Sequence, residues 1–186
     1  MRPALALFAV VAACLAVAGC GSSSTTPAGF AWVKASATPA GWHQVRIPAG
    51  DAISFPPGWR PIRTDHGTAS RALLGGHGQF VGYLNLTPSV PQEKLRTWAR
   101  FRVDHNGDEN DTHVRALASG RGLHFAGGQG ACVRDGYMTE SSAHFIEIAC
   151  LIVGQHRSVV GVGAAPPEAW HQVSAQLERA LASIRT

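Results

Sequence analysis

The side chains with the most legible chemistry are four cysteines, and their positions separate them into different roles. Cys132 and Cys150 fall in two stretches, residues 131–137 and 144–153, that read as strands on either side of the polar Thr139-Glu140-Ser141-Ser142. Folded as an antiparallel hairpin, these strands bring the two thiols opposite or close to one another. In an exported chain such an even pair joins as a disulfide by default. Closing a loop of this size stabilises by about 3 kcal/mol on the chain-entropy account. The same pairing sets Arg134 against Ile148, an awkward neighbour that a bulge or a shifted register would relieve. Two separately buried thiols are the other reading. With no CxxC spacing and no histidine at ligand spacing, nothing points to a catalytic or metal-binding thiol.

Cys20 belongs to a different chemistry. It follows Val17-Ala18-Gly19 at the end of an apolar run from Ala4 to Ala18, with Arg2 ahead of it. About 15 apolar residues are too few to span a bilayer core as a helix, which takes roughly 20. A basic start, an apolar middle and a small-residue cleavage site are the parts of a secretion leader. Small side chains at Ala18 and Gly19 let a peptidase hold extended backbone, and Val17 fills an aliphatic pocket. These residues resemble the lipobox of bacterial lipoproteins, which implies cleavage before Cys20 and a diacylglyceryl thioether on its sulfur, in many bacteria with an N-acyl chain as well. An ordinary secretion signal with a chance cysteine is the plainer alternative. Each buried methylene contributes about 0.8 kcal/mol, and two or more chains anchor stably where one binds reversibly. The expectation is a leader over residues 1–19, lost together with Cys14, a lipid site at Cys20, and a remainder tethered to the extracytoplasmic face of the cell membrane. After Gly19 no apolar run approaches spanning length.

Other reactive constellations are weaker. Asp104-x-Asn106-x-Asp108 has the alternating oxygens of a calcium loop, but such a loop wants Gly at its sixth place and Glu at its twelfth. Glu109 and Arg115 stand there, so a solvated acidic loop is the better reading. Nine histidines are spread from His43 to His171 with no HxxxH or HExxH spacing, and no metal site is expected. Neither a Gly-x-Ser-x-Gly elbow nor a Ser-x-x-Lys motif is present. Gly120-x-Gly122 and Gly127-Gly128-x-Gly130 are not followed by a helix and mark turns and bulges rather than phosphate loops. No catalytic residue and no cofactor is expected.

Composition narrows the partners. Sixteen basic side chains stand against 12 acidic ones, with a pI near 9.2, and one of the basic residues, Arg2, lies in the leader. Only Lys34 and Lys94 are lysines. A nucleic-acid surface wants a basic stripe with interleaved aromatics, and none is visible. The charge reads as scattered over solvated surface, with a mild affinity for anionic lipid headgroups as the alternative. Roughly 165 residues beyond the leader suffice for one domain with a real core.

The elements that must position these residues follow from periodicity. Residues 20–41 are rich in Ser, Thr, Pro, Gly and Ala and read as a flexible tether with a reach on the order of 25 Å. Within it Phe30, Trp32 and Val33 either dock on the domain or sit against headgroups, and the Ser/Thr tract is a candidate for glycosylation. The domain is expected over residues 42–186. Strands are predicted at 42–47 and 52–55, a hairpin at 69–74 and 79–86 around Gly75-Gly76-His77-Gly78, and a helix from Pro91 to about Val103, stopping in the polar run 104–111. Further strands are predicted at 113–118, 122–126, 131–137, 144–153 and 157–162. Gly161 and Gly163 share one face of the last, where their missing side chains let a helix pack closely. After Pro166-Pro167, the residues Trp170, Val173, Leu177, Leu181 and Ile184 recur every three or four positions as the apolar stripe of a closing helix. Runs of strands with two helices and no strict alternation predict α+β: an antiparallel sheet with helices packed against it and a long C-terminal helix.

Ile53-Ser54-Phe55-Pro56-Pro57-Gly58-Trp59 resembles the strand-into-Pro-x-Gly-Trp opening of the PsbP-like fold, and the order of hairpin, helix, antiparallel strands and C-terminal helix ending Leu181-Ala182-Ser183-Ile184 is similar too. That family includes the extrinsic photosystem protein PsbP, a nuclear Ran-binding factor and actinobacterial lipoproteins of the LpqN type. Ala/Arg/Gly-rich usage fits a high-GC actinobacterium. The resemblance covers about residues 42–186 and implies structural roles for Phe55 and Trp59, no shared catalytic residues, and work done through protein contacts. The resulting expectation is a lipid-anchored envelope protein acting as a non-catalytic binding or scaffolding module for an envelope protein partner. A carrier of a small apolar ligand or lipid is the alternative, and an enzyme of unrecognised type the third.

Overall fold

Strands of period two dominate the chain, and their apolar faces decide how it folds. The computed structural model describes residues 27–35 and 37–186; Cys14, Cys20 and the leader lie outside them. Strands β1 (His43–Arg46) and β2 (Ala52–Phe55) form a two-stranded antiparallel ribbon. A seven-stranded sheet contains β3 (Arg60–Pro61), β4 (Ala69–Leu74), β5 (Phe80–Pro88), β6 (Thr112–Phe125), β7 (Gly128–Met138), β8 (His144–Gly154) and β9 (Ser158–Ala165), in the order β3-β4-β5-β9-β8-β7-β6. Every pairing is antiparallel. With helices α1 (Trp98–Asp108) and α2 (Pro167–Ala182) packed on it, the fold is α+β as expected.

The two helices take opposite faces of the sheet. On one face Ile148, Cys150, Ile152, Val159, Leu84 and Leu86 meet Val173, Leu177, Leu181 and Ile184 of the C-terminal segment, with Ile53 and Phe55 of the ribbon beside them. Gly161 and Gly163 make this approach close. A Cβ on Gly161 would collide with Ile184 and lie 3.0 Å from Leu181 Cδ2, and one on Gly163 would lie 3.2 Å from Leu177 Cβ. Pro167 in the first turn and Glu168 after it suit the start of α2, and Arg179 its end. On the other face, Ala131, Val133, Ala149, Leu151, Val160 and Val162 pack under α1. Trp98 is the anchor there: 1% exposed, it donates its indole N–H to the Ala149 carbonyl at 2.9 Å.

The Pro-Pro-Gly-Trp turn is a packing device. Gly58, at φ +85°, makes the turn that L side chains resist. Trp59 then lies over Gly82, whose Cβ would come within 2.9 Å of the ring, and donates to Gln176 Oε1 at 2.9 Å. Phe55 is buried at 1%. Both residues tie the sheet to its surroundings.

Two elements differ from expectation. The first helix begins at Trp98, not Pro91, and runs to Asp108 through most of the predicted polar loop. Before it, residues 91–97 make turns, Glu93 accepting the Val90 N–H at 2.8 Å. Beyond Val103 the helix continues with Phe101 stacked on His105, and Asn106 is buried in it with its side-chain Nδ2 unpartnered among the described residues. It ends where Asn110 turns left-handed, at φ +69°, and the Asp111 N–H reaches back to Asn106. Next, the segments 113–118 and 122–126 are one strand, β6, broken by three register shifts against β7; these bulges and Gly122, at φ +67°, interrupt the alternation. Of the two alternatives for the aromatic part of the tether, docking is the one seen: Phe30 and Val33, 0% and 6% exposed, lie in the main core, and Phe30 lies against Gly120 of β6.

Overpacking a filled core costs about 1–3 kcal/mol, so Gly161→Ala is expected to lower the urea unfolding midpoint accordingly. Gly163→Ala, whose Cβ would press on Leu177 and Leu84 at 3.2 and 3.3 Å without the outright collision at Gly161, should cost less, and the two midpoints measured side by side check the order.

Candidate functional site

Strand pairing alone brings two acids together inside the sheet. Cys132 stands directly opposite Cys150, so Asp135, three residues on, stands opposite Glu147, three residues back. The two cysteines are joined, with Cα atoms 4.1 Å apart. Odd offsets carry Asp135 and Glu147 to the α1 face, where they are 0% and 1% exposed. An isolated buried carboxylate is costly unless neutralised or paired. Arg102 of α1 supplies one pair, its Nε and Nη2 donating to Glu147 Oε1 and Oε2 at 2.6 and 2.9 Å, a bidentate geometry that suits a partly dry site. Asp135 is left over: neither of its oxygens accepts a hydrogen bond among the described residues.

One guanidinium therefore faces two carboxyl groups. Burial first, and then the charge of Glu147, push the Asp135 carboxyl up to about 8, with Arg102 opposing. Near neutral pH it keeps its proton. Burial works against the Arg102 charge, but Glu147 and then Asp135 outweigh it and hold the guanidinium above its ordinary range. Burial likewise raises Tyr137, with Glu147 adding to it, and Tyr83.

Over this cluster opens a cleft of about 440 Å³. Glu147 and Arg102 form its floor with Tyr83 and Tyr137. Thr64, Asp65 and Thr68, from the loop after β3, face Glu93, His105 and Glu109 across it. The Ser70 hydroxyl lies 2.9 Å from both Asn85 Oδ1 and Thr64 Oγ1, tying that loop to the sheet. His105 Nε2 is 3.2 Å from Glu109, and burial raises the Glu93 carboxyl. The rim is acidic and rich in hydrogen-bonding groups, suited to a partner offering cationic or donor groups.

Other residues singled out from sequence are placed as follows. Cys20 lies outside the described residues. The Cys132 pairing has no register shift, and Arg134 does stand against Ile148. Its awkwardness is relieved through α2: Nη2 donates to Glu178 at 2.9 Å and the guanidinium lies 5.5 Å from the centre of the Trp170 ring. Asp104, Asn106 and Asp108 sit on helix α1 with Asn106 buried, so their oxygens diverge. The nine histidines are exposed, apart from the half-buried His105. Among the described residues no three His, Cys, Asp or Glu side chains converge to hold a metal ion. What sequence reasoning missed is the pair Asp135 and Glu147, although a Glu inside Phe-Ile-Glu-Ile-Ala was a visible signal of a buried charge.

No family model and no curated protein matches the chain. Among solved structures it is similar to the cyanobacterial PsbP (CyanoP) of Synechocystis sp. PCC 6803, with a TM-score of 0.56, 11% identity, and coverage of 81% of this chain and 97% of that one. It is also similar to PA94 of Pseudomonas aeruginosa, a protein of unknown function, with a TM-score of 0.53, 9% identity, and coverage of 76% and 94%. LpqN of Mycobacterium tuberculosis, involved in cell envelope biogenesis, aligns with a TM-score of 0.46 at 10% identity over 77% and 89% of the two chains. At these identities the likeness is one of fold, and the fold is PsbP-like.

Two measurements probe the acid cluster. An unfolded Asp titrates near 3.8 and the folded Asp135 near 8, so between those values the native state holds the extra proton and stability falls as pH rises, levelling above pH 8. Asp135→Asn removes this slope: its melting temperature should exceed the parent's by about 3 °C or more at pH 9 and match it near pH 4. Arg102→Ala strands Glu147 without its cation and is expected to cost about 3–5 kcal/mol in chemical denaturation.

Proposed function

Taking the PsbP-like fold as premise, we propose that this chain is an exported lipoprotein, held by acyl chains on Cys20 at the extracytoplasmic face of the membrane, whose domain is a non-catalytic binding module. The observation that carries the binding role is where the molecule leaves room. The α2 face is closed by glycines that draw the helix onto the sheet, and Trp98 fills the space under α1. The polar cleft above Glu147 faces solvent with an acidic rim and is the place offered to a partner, an envelope protein presenting basic or donor groups.

Binding fits that cleft better than catalysis. Asp135, the carboxyl with the most displaced proton affinity, is fully buried beneath the cleft, and both Glu147 oxygens are engaged by Arg102. Neither is presented to a substrate as a proton donor or acceptor. Among the described residues, no helix is long and apolar enough to cross a membrane; the anchor in this reading is the Val17-Ala18-Gly19-Cys20 motif. The buried cross-strand disulfide accords with an oxidising compartment.

The alternative, a carrier of a small apolar ligand, draws on one feature. Val114, Leu117, Tyr137, Phe145 and Ile146 line a recess of about 530 Å³ at the end of β6, β7 and β8, and Leu117 is 45% exposed. Native mass spectrometry of purified protein separates the readings, since a co-purifying apolar mass favours the carrier.

The anchor is tested by expression in a lipoprotein-processing bacterium. Parent protein should partition into detergent and carry acyl mass on an N-terminal Cys20 peptide, whereas Cys20→Ser should partition into the aqueous phase. Crosslinking in intact envelopes should return a discrete adduct that Glu93→Lys/Glu109→Lys removes; an adduct indifferent to these changes would place the partner elsewhere.

A further inference from the structure

The fold gathers three arginines that are far apart in the chain. Arg96, in the turns before α1, Arg100, in its first turn, and Arg121, on β6, line a groove of about 310 Å³ with Thr97 and Ser119. All three are exposed, and among the described residues none of them forms an ion pair. Arg121 Nη1 reaches the Arg96 carbonyl at 3.4 Å, which holds the strand side of the groove to the helix side. Three like charges lining one groove with no carboxylate paired to them raise the local concentration of anions there.

The chain's route to Cys20 leaves from the same edge strand, on its other, α2-side face. Pro27 and Phe30 seat on Gly120, whose Cβ would lie 3.3 Å from Pro27 Cγ. Gly120 adjoins Arg121 and Ser119 in β6. Cys20 stands seven residues before Pro27, and seven residues fully extended span at most about 25 Å. An acylated Cys20 sits at headgroup level, so the β6 edge with its arginines is kept within that distance of the bilayer. The opposite edge, β3, is six strands away.

We propose that Arg96, Arg100 and Arg121 form the face that the domain turns to the membrane, where they bind the phosphates of anionic lipid headgroups. The proposal rests on the Cys20 anchor. It gives the domain a fixed attitude on the bilayer: the β6 edge lies down, and the acidic cleft is held away from a surface that would repel it. Attraction of this kind acts within a Debye length, about 8–10 Å at physiological salt, so it orients a domain that the tether has already brought close.

The test uses protein purified from membranes with its anchor and reconstituted in vesicles, carrying an environment-sensitive dye on Ser119→Cys. Quenching by headgroup-labelled lipid is expected to be several-fold stronger in phosphatidylglycerol-rich than in phosphatidylcholine vesicles, and high salt should abolish the difference. Arg96→Gln/Arg100→Gln/Arg121→Gln should abolish it too, with an unchanged urea midpoint, while Arg60→Gln/Arg63→Gln, on and beside β3, should leave it intact. Equal quenching in the two lipids, a triple variant that behaves like the parent, or an equal loss from the Arg60/Arg63 pair overturns the proposal. Protein that fails to float even with phosphatidylcholine vesicles lacks the anchor. In that case the anchor reading fails, and flotation with phosphatidylglycerol vesicles, present in the parent and lost in the triple variant, still decides the arginines.

Discussion

The register between β7 and β8 is the constraint on which the rest of the molecule depends. Once Cys132 stands opposite Cys150, every side chain of the two central strands is committed to a face, because a strand's side-chain period is two and a slip of one residue would invert the set. Cys132, Cys150, Ile148 and Ile152 go to α2; Ala131, Val133, Ala149 and Leu151 go to α1. The covalent bond lies inside the larger core and holds the register where slippage would be most damaging. Arg134 is the local misfit this register imposes, and α2 accommodates it through Glu178 and Trp170.

The same register obliges the smaller face to accept two acids. The α2 face is apolar almost throughout, and its helix is held by area and by the glycines beneath it. On the α1 face the helix is short and rests on one tryptophan and one arginine, Trp98 and Arg102. A buried ion pair of this kind is weak as a source of net stability, since desolvation offsets much of the attraction, yet breaking it is costly. It sets the position of α1 more than it strengthens the fold, and the cleft beside it inherits that position.

The elements legible in the sequence are those where one physical rule acts alone. The stripe from Trp170 to Ile184, the hairpin around Gly75 to Gly78, and β7 and β8 follow their periods with few interruptions. Pro91 is a good first-turn residue and draws the expected helix start forward, while the feature that decides the start, the burial of Trp98, is a tertiary contact. The run 104–111 reads as a loop by composition, but its first five residues continue the helix, which closes where the Glu109 and Asp111 N–H groups reach back to His105 and Asn106. Strand β6 reads as two strands because its bulges break alternation, which is the signal by which strands are recognised. Within the site, the pairing of Asp135 with Glu147 could be deduced from the cysteines, whereas Arg102 fell among the positions of a helical stripe and its partner is 45 residues away. The arginine groove was invisible for the same reason: Arg121 meets Arg96 and Arg100 only after α1 crosses the sheet.

Strand β6 has a further consequence. It closes the sheet with a 14-residue edge, and a long, regular edge invites another copy's strand to add to it. Here the three register breaks leave no continuous run of evenly spaced donors and acceptors to template on. Crowded copies of this domain can therefore sit side by side without zipping into a fibre.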